Sequence, residues 1–493
     1  MISPPPETKA AHKQYHLGSL SYSRSRLISL FSWLLWGDFC ANLMETVIPN
    51  VIPLRLRNLG CSSTLISIFL TSVPCLVLLF WNPIIATWSD RHRSRWGRRI
   101  PFLLGGTPFM VLTLVGLGFS DPLGQLISGL AGGAFSPGTA SIGIIAALLL
   151  VFHMCNSFVF WPYNMLINDV VPREVLGRFS MLFRIVSTLA VAAFSFLAFP
   201  HAETHYSQIF LGAALLFGVA YPMMCFKVKE GSYPPPEQTP DGWRSHATVY
   251  FRECFGHPFY WHLFLGTAFI TVGGASTPFI LLMNLSLGLD LKQIGWIAGG
   301  AGLLSLPVFF AAGLFVDRWN LVRMFYRGRV IQTVISAGFM VYLVVELSVR
   351  QVLVLTVSLN LVLLIITAVM LVAMVPMNMM LLPRDRYGQF ASALSLVVGA
   401  AGVLGGLLMG GFMDAMRWLH DGSDFAYRYA PVWMTVFYAL GTYHQYRVYR
   451  YVRDTHGDSL AGFVPPDTSM GKMATDPRGS NDNDPASNSL KTG

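Results

Sequence analysis

The chain is dominated by apolar runs of about 20 residues, the length that a helix needs to cross a hydrocarbon layer of roughly 30 Å. Of its 493 residues, 53% are hydrophobic and only 12% are charged, whereas a soluble domain carries about 25% charged residues. Inside a bilayer the backbone polar groups must be satisfied within the segment, so runs of this kind form helices. The sequence therefore predicts an all-α membrane protein and excludes a soluble globular fold.

The apolar runs divide into two sets of six. We expect the first set near 28–52, 64–88, 102–120, 141–166, 181–199 and 207–226, and the second near 261–284, 293–316, 329–349, 353–382, 390–412 and 430–448. This predicts about twelve transmembrane helices in two six-helix bundles. The corresponding domains are an N-terminal segment 1–27, a first bundle 28–227, a linker 228–258, a second bundle 259–450 and a disordered tail 451–493, rich in Pro, Ser, Asn and Asp.

The basic residues explain the net charge of +9 without a nucleic-acid partner. They lie in short loops between apolar runs and form no basic domain, and most fall on the side of the membrane that holds both termini. The positive-inside rule then predicts a multi-pass protein of the cell (inner) membrane with both termini in the cytoplasm. The lipid bilayer is its expected surroundings, and no obligate protein partner is indicated.

Two pairs of loops repeat a local pattern in the two halves. A Pro-Arg-acid-x-x-Gly pattern occurs at residues 172–177 and again 211 residues later at 383–388, and apolar spans end in Asp-Arg at 90–91 and 317–318. Such pairs can simply cap helices at the membrane surface. Their matched positions favour parallel repeats that rock about a midplane site. The predicted cytoplasmic gate comprises Asp90, Arg91, Arg95, Gly97, Arg98, Asp169, Glu174, Arg178, Asp317, Arg318, Arg384 and Asp385.

Two carboxylates lie within the first apolar span. Asp38, Asn42 and Glu45 are spaced i, i+4, i+7 and share one stripe of a helix. An ionised carboxylate at that depth costs at least ~2.5 kcal/mol and needs a partner or water. We predict that the stripe faces a polar cavity, with Asp38 binding substrate and exchanging protons and Glu45 acting as the main proton carrier. Alternatively, Glu45 is solvated or pairs with Arg55 or Arg57.

Other polar and aromatic residues could reach the same cavity. Asn156 lies one helical turn after His153 in the fourth span, and we include Asn156 in the predicted substrate site. His153 could also reach the cavity, but a lone histidine among apolar residues is more often structural. Trp36 could stack on a sugar ring, yet tryptophans also populate membrane interfaces.

The residues 89–99 read SDRHRSRWGRR, followed by Ile-Pro-Phe, and the residues 168–184 read NDVVPREVLGRFSMLFR. Both stretches resemble loops of the glycoside-pentoside-hexuronide:cation symporters of the major facilitator superfamily, including their sucrose-permease relatives. The segment from Gly313 to Arg318 matches the looser Gly-x-x-x-Asp-Arg pattern of the superfamily. The resemblance implies two six-helix bundles around a central sugar site, driven by sodium or proton symport.

The resemblance also implies roles for single residues. Asp38 stands where melibiose-permease-like members carry an aspartate that binds sugar hydroxyls, and Arg184 where the family places an arginine near the sugar site. Arg184 could instead anchor the start of the fifth span. Asn82 replaces the cation-binding aspartate of sodium-coupled members, and Phe160 replaces a fourth-span acid. We therefore expect H⁺ rather than Na⁺ as the coupling ion.

Several function classes lack their sequence signals. The chain has no Gly-x-x-x-x-Gly-Lys-Ser/Thr loop for ATP, no metal-ligand spacing and no nucleophile elbow. We therefore predict no cofactor, no metal and no enzymatic activity. The predicted function is secondary active transport of a small polar solute, a sugar or glycoside, by alternating access with proton symport. A uniporter, a lipid or drug carrier on the same fold and a non-transporting membrane sensor are the alternatives.

Overall fold

The computed structural model describes residues 15–17, 20–231, 250–315, 320–384, 386–457 and 463–466, without the side chains of residues 86, 87, 90 and 91. It begins with an antiparallel hairpin of two three-residue strands, β1 (Tyr15–Leu17) and β2 (Leu20–Tyr22). The rest of the described chain is almost entirely helical, as the apolar runs predict.

Twelve long helices lie in the described part of the chain. The first six are α1 (Arg24–Asn58), α2 (Val73–Arg91), α3 (Ile100–Gly118), α4 (Pro137–Val170), α5 (Leu176–Ala193) and α6 (Tyr206–Lys227). The second six are α7 (Pro258–Gly274), α8 (Leu291–Phe315), α9 (Leu321–Gly338), α10 (Val349–Leu381), α11 (Tyr387–Leu419) and α12 (Ala430–His456).

Shorter helical segments extend or join these helices. The α-helical Ser63–Ser67 and the π-helical Ile68–Ser72 lead into α2, and the π-helical Phe194–Ala198 and the 3₁₀ segment Phe199–His201 continue α5. The helices Ser120–Leu130, Thr277–Ser286 and Val341–Val344 follow α3, α7 and α9. Two 3₁₀ segments, Arg173–Val175 and Asp424–Tyr429, precede α5 and α12.

Ten helices in the described residues are long and apolar enough to cross a membrane, so the predicted count of about twelve is not exact by this measure. The two remaining long helices, α9 and α12, are more polar. The sequence places the ninth span near 329–349, whereas α9 covers Leu321–Gly338. Arg323 and Arg327 look like loop residues in the sequence and Arg329 looks like the first residue of the span, but all three lie on this helix.

The two sets of six helices pack alike. In the first set α1 packs on α5 and α6, α3 on α4 and α6, and α2 on α4. In the second set α7 packs on α11 and α12, α9 on α10 and α12, and α8 on α10. Each contact in one set therefore has its counterpart six helices later, which confirms the parallel repeat. The outer limits of the predicted domains stay predictions, because most of the linker and tail lies outside the described residues.

The sets meet through α2 with α11 and through α5 with α8, which are again equivalent pairs. We call the end of the molecule that holds the last residue of α1 the Asn58 end, and the end where α1 begins the Arg24 end. Since consecutive helices alternate in direction, the starts of α3, α5, α7, α9 and α11 lie at the Arg24 end.

Candidate functional site

Asp38 lies near the middle of α1, buried between α1 and α5. Only 2% of its surface is exposed. Asn42 Nδ2 donates to Asp38 Oδ1 at 2.7 Å, and Ser187 Oγ of α5 donates to Asp38 Oδ2 at 2.7 Å. Both carboxylate oxygens are thus held by neutral donors, one from its own helix and one from the neighbouring helix.

Arg184 lies one turn before Ser187 on α5. Its guanidinium group is close enough to Asp38 to attract the carboxylate electrostatically, and its Cζ lies 5.3 Å from the centre of the Phe309 ring on α8. Arg184 therefore lies near Asp38 and also at the contact between the two sets of helices, with its side chain exposed.

Glu45 lies two turns further along α1 and contacts a different helix. Asn156 Nδ2 of α4 donates to Glu45 Oε1 at 2.9 Å. One turn earlier on α4, the Nε2 atom of His153 is buried and has no hydrogen-bond partner within the described residues. Glu45 and Asn156 thus form a second polar pair, which shares α1 with the Asp38 group.

Glu45 does not pair with either arginine at the end of α1. Arg55 forms an ion pair with Asp121, and Arg57 forms one with Asp424. The alternative in which Glu45 is neutralised by one of these arginines is therefore wrong.

Trp36 lies on the opposite face of α1 from Asp38, two residues away. It stacks on Phe39 with 6.0 Å between ring centres, and 41% of its surface is exposed. With Trp33 it lines a surface groove of about 760 Å³ between α1 and α6. The structure does not bring Trp36 to the carboxylates, because a two-residue step turns a helix by about 200°.

The two sets of helices are joined at the Asn58 end by a stripe of glycines on α11. A Cβ atom at Gly410 would lie 2.5 Å from the Cα atom of Thr64, and one at Gly406 would collide with Ser72. Ser72 Oγ also donates to the Val403 carbonyl oxygen at 2.8 Å. Only glycine allows α11 to approach the π-helical Ile68–Ser72 this closely.

Asp414 fastens the same contact. Its carboxylate accepts hydrogen bonds from Ser63 N at 2.7 Å, Thr64 N at 2.9 Å and Thr64 Oγ1 at 2.6 Å, all at the start of the helical segment that leads into α2. A carboxylate at a helix N-terminus is stabilised by the helix dipole as well as by these donors. Sequence reasoning missed Asp414, because nothing in the pattern around it shows that α2 begins opposite.

The equivalent contact joins α8 to the end of α5. A Cβ atom at Gly299 would lie 2.8 Å from the Phe196 ring, and one at Gly295 would collide with the Ser195 carbonyl oxygen. These partners belong to the second π-helical segment, Phe194–Ala198. Both contacts between the sets of helices are therefore built from glycines on one side and a π-helical turn on the other.

Part of the predicted gate forms a network at the Arg24 end. Asp169 Oδ1 pairs with Arg98 Nη2 at 2.7 Å, and Asp169 Oδ2 pairs with Arg99 Nε at 3.3 Å. Arg95 instead stacks on Trp96, with its Cζ 5.4 Å from the ring centre. The structure brings together Arg98 and Asp169 of the predicted gate and adds Arg99, which the sequence analysis did not select.

Glu230 completes this network and was also missed. Its carboxylate accepts the backbone N–H groups of Arg98, Arg99 and Ile100 at 2.8–2.9 Å, so it caps the start of α3. Gly97 has φ +107°, and a Cβ atom there would lie 2.5 Å from Glu230 Cδ. Gly97 is thus required both by its backbone conformation and by the approach of Glu230.

We expect Gly97→Ala to lower the free energy of unfolding by about 2–4 kcal/mol, since the variant adds backbone strain and a clash with Glu230. Thermal unfolding of the detergent-purified protein measures the loss. Gly177→Ala is the matched control, because nothing lies within 4 Å of a Cβ atom there. Equal melting temperatures for the two variants would refute the proposed fit between Gly97 and Glu230.

Among the remaining gate residues whose side chains the structure describes, none joins this network. No ion pair among the described residues involves Glu174 or Arg178, and the side chain of Arg384 is exposed. In the second half Arg386 pairs with Glu253 at 3.4 Å, and Gln389 Nε2 donates to Glu253 at 2.9 Å. The side chains of Asp90, Arg91, Asp317, Arg318 and Asp385 lie outside the described residues.

Within the described residues no group of three or more His, Cys, Asp or Glu side chains could hold a metal ion. The polar groups of α1 can offer acceptors from Asp38 and Glu45, donors from Asn42, Asn156 and Arg184, and a carboxyl group for proton exchange. This arrangement can donate hydrogen bonds to a solute, accept hydrogen bonds from it and exchange a proton.

Comparison with known proteins agrees with this architecture. The chain is 27% identical over 248 residues to Solute carrier family 45 member 4 of Mus musculus, a match that covers 47% of this chain and 30% of that protein. The chain thus matches under a third of the length of this relative.

Solved structures share the fold at low identity. A bacterial homolog of the human lysosomal transporter Spinster, in an inward-facing and unoccupied conformation, has a TM-score of 0.62 at 14% identity and covers 87% of this chain and 98% of its own. A bacterial homologue of the iron transporter ferroportin, in the inward-facing state, has a TM-score of 0.61 at 16% identity, with 86% and 99% covered.

The family model of the Major Facilitator Superfamily matches residues 34–406, which is more than half of the chain and spans both sets of helices. With the repeated packing of α1–α6 and α7–α12, this match shows that the chain belongs to the Major Facilitator Superfamily.

Proposed function

We propose that this membrane transporter moves a sugar or glycoside by alternating access and couples its transport to protons. Membership in the superfamily indicates a transporter of small solutes rather than an enzyme. The observation that carries the finer proposal is the pair of carboxylates inside α1, each held by neutral hydrogen-bond donors.

Asp38 and Arg184 are the proposed substrate contacts, with Asn42 and Asn156 as further hydrogen-bond partners. A sugar hydroxyl can donate to the Asp38 carboxylate, and a neighbouring hydroxyl can accept from the Arg184 guanidinium group. The two residues together can therefore bind hydroxyls both as donors and as acceptors. Hydrogen bonds to charged groups contribute about 1.5–3 kcal/mol each. Trp36 is left out of this proposal because it lies on the opposite face of α1.

Glu45 is the proposed main proton carrier, and Asp38 the second exchanging group. Glu45 contacts an amide rather than a cation, so among the described residues an ionised Glu45 has no charged partner at a depth where ionisation is costly. Protonation removes that cost. Asn82 is 8% exposed and neutral where sodium-coupled relatives would carry an aspartate, which supports H⁺ over Na⁺.

In this proposal, the contacts between the two sets of helices form and break during alternating access. The glycine contacts and Asp414 hold the Asn58 end closed. If both termini are cytoplasmic, as the positive-inside rule predicts, this end faces outward. Releasing α11 from the start of α2, and α8 from the end of α5, would then open the outer path.

We expect Asp414→Asn to destabilise the closed Asn58 end by about 1.5–3 kcal/mol, because it removes a charged acceptor of three hydrogen bonds. The ratio of closed to open molecules should fall about 10–100-fold. Two spin labels, one at the start of the segment Ser63–Ser67 and one at the end of α11, measure this ratio from the distance between them. Asp121→Asn is the control, since its ion pair with Arg55 lies within the first set of helices and a partly exposed ion pair contributes about 0–1 kcal/mol.

Uptake into proteoliposomes tests the proposed function. A panel of labelled mono- and disaccharides is offered with an inward pH gradient, a sodium gradient or neither. Accumulation that needs the pH gradient is the expected result. Accumulation that needs sodium would overturn the proton assignment, and the absence of sugar uptake by protein that melts cooperatively would overturn the sugar assignment.

A further inference from the structure

One stripe of α8 faces α5. A Cβ atom at Gly302 would lie 3.7 Å from Thr188 Cγ2 of α5, one turn further along α8 than Gly299. Phe309 is seven residues after Gly302, a spacing that returns to the same face of a helix. Since α5 and α8 run in opposite directions, Phe309 comes opposite Arg184, one turn before Thr188. The stripe that carries the glycine contacts thus also brings an aromatic ring to Arg184.

This ring supports a charged side chain. The Arg184 Cζ atom lies 5.3 Å from the centre of the Phe309 ring, within the range of a cation–π contact. The arginine is exposed and the phenylalanine is half-buried. An exposed arginine loses rotamer freedom only where something holds it, and the face of the ring supplies such a hold. The contact therefore favours one position of the guanidinium group.

That position is beside the proposed substrate carboxylate. Ser187, one turn after Arg184 on the same helix, donates to Asp38 Oδ2 at 2.7 Å, so this turn of α5 lies against Asp38. Asp38 and Arg184 belong to the first set of helices, whereas Phe309 belongs to the second. A proposed substrate contact is thus positioned by the set of helices that moves relative to it in the proposed transport cycle.

We infer that Phe309 is a positioning residue, whose ring holds the Arg184 guanidinium group beside Asp38 while the Asn58 end is closed. Rocking of the two sets changes the separation of α5 and α8, so the ring holds or releases Arg184 as access changes. The second set of helices thereby controls the affinity of a site built on the first. The role of Phe309 in substrate binding rests on the proposed function, whereas the ring contact itself needs no solute.

The ring contact is tested first, without a solute. 4-Fluorophenylalanine is incorporated at position 309 of the full chain, and its fluorine NMR resonance is recorded in detergent. Arg184→Gln removes the charge over the ring and should shift this resonance. Arg350→Gln, which replaces an exposed arginine at the start of α10 and so at the Asn58 end, should leave it unchanged. Equal spectra for the wild type and Arg184→Gln would overturn the inference.

Affinity for the sugar that the transporter accumulates is measured next. Phe309→Leu should weaken equilibrium binding about fivefold, since it removes the ring but keeps an apolar side chain. Phe309→Tyr keeps the ring and should bind within about twofold of wild type. Phe310→Leu is the matched control, because Phe310 is the next residue of α8 but lies about 100° round the helix.

Fluorination separates the charge of the ring from its shape. Phenylalanines with one, two and three ring fluorines at position 309 should weaken binding stepwise, because fluorine draws negative charge from the ring face and hardly changes its size. In the Arg184→Gln background the same series should have no further effect. Equal affinity across the series, or stepwise weakening that persists without Arg184, would overturn the positioning role. Absence of sugar binding alongside a shifted fluorine resonance would instead overturn the proposed function and, with it, the role of Phe309 in binding.

Discussion

In the Glu45→Gln variant, the solute that the wild-type transporter accumulates should reach only the concentration outside the vesicles. Glutamine keeps the shape of the side chain and can still bond Asn156, but it cannot exchange a proton. With an inward gradient of one pH unit, the wild type coupled to one proton can accumulate solute up to about tenfold. The variant should show a ratio of about one.

Exchange of labelled for unlabelled solute separates this effect from a loss of folding. Exchange needs binding and the change of access, but no net movement of protons, so the variant should retain it. Glu203→Gln, at an exposed acid between α5 and α6, is the control with the same change of chemistry. Uphill accumulation by Glu45→Gln would remove Glu45 as the main proton carrier.

Asp38→Asn should weaken substrate binding about 10–100-fold, because a substrate hydroxyl loses a charged acceptor worth about 1.5–3 kcal/mol. The asparagine can still accept from Asn42 or Ser187, so the contact between α1 and α5 should survive. Equilibrium binding of labelled sugar to the purified protein measures the loss, and the melting temperature checks the fold.

Trp36→Phe provides the matched control for Asp38→Asn. It changes a residue on the same helix and only two positions away, but on the face that lines the groove with α6. Binding by Trp36→Phe should stay within about twofold of wild type, since the Trp36 side chain lies on the opposite face of α1 from Asp38. Equal weakening by both substitutions would indicate a general disturbance of α1 rather than a substrate contact at Asp38.

The fold was largely predictable because membrane solvation leaves few alternatives. Apolar runs of sufficient length predict helices, and the loops at 172–177 and 383–388 reveal the repeat. The error at α9 has the same origin. Hydropathy treats Arg323 and Arg327 as loop residues and begins the span at Arg329, whereas all three lie within α9. There Arg329 donates to Gln332 at 2.6 Å and stacks on Phe325.

The polar site was predictable only along α1. The spacing of Asp38, Asn42 and Glu45 places them on one stripe, but it does not show that α5 supplies a donor to the first and α4 a donor to the last. Those partners depend on how neighbouring helices are rotated. Asp414 and Glu230 were missed for a related reason, since each caps a helix that is distant in sequence.

The two π-helical segments, Ile68–Ser72 and Phe194–Ala198, bear on how this transporter can diverge. A π-helical turn holds one more residue than the α-helical turn it replaces. Loss of a single residue from either segment would restore a regular helical turn and remove the widened one, while the flanking helix would keep nearly the same rotation about its axis. A one-codon deletion could thus change the turn that meets the glycines of α11 or α8 without any substitution. In an alignment of relatives, a one-residue gap within either π-helical segment should therefore be read as a change in the contact between the two sets of helices.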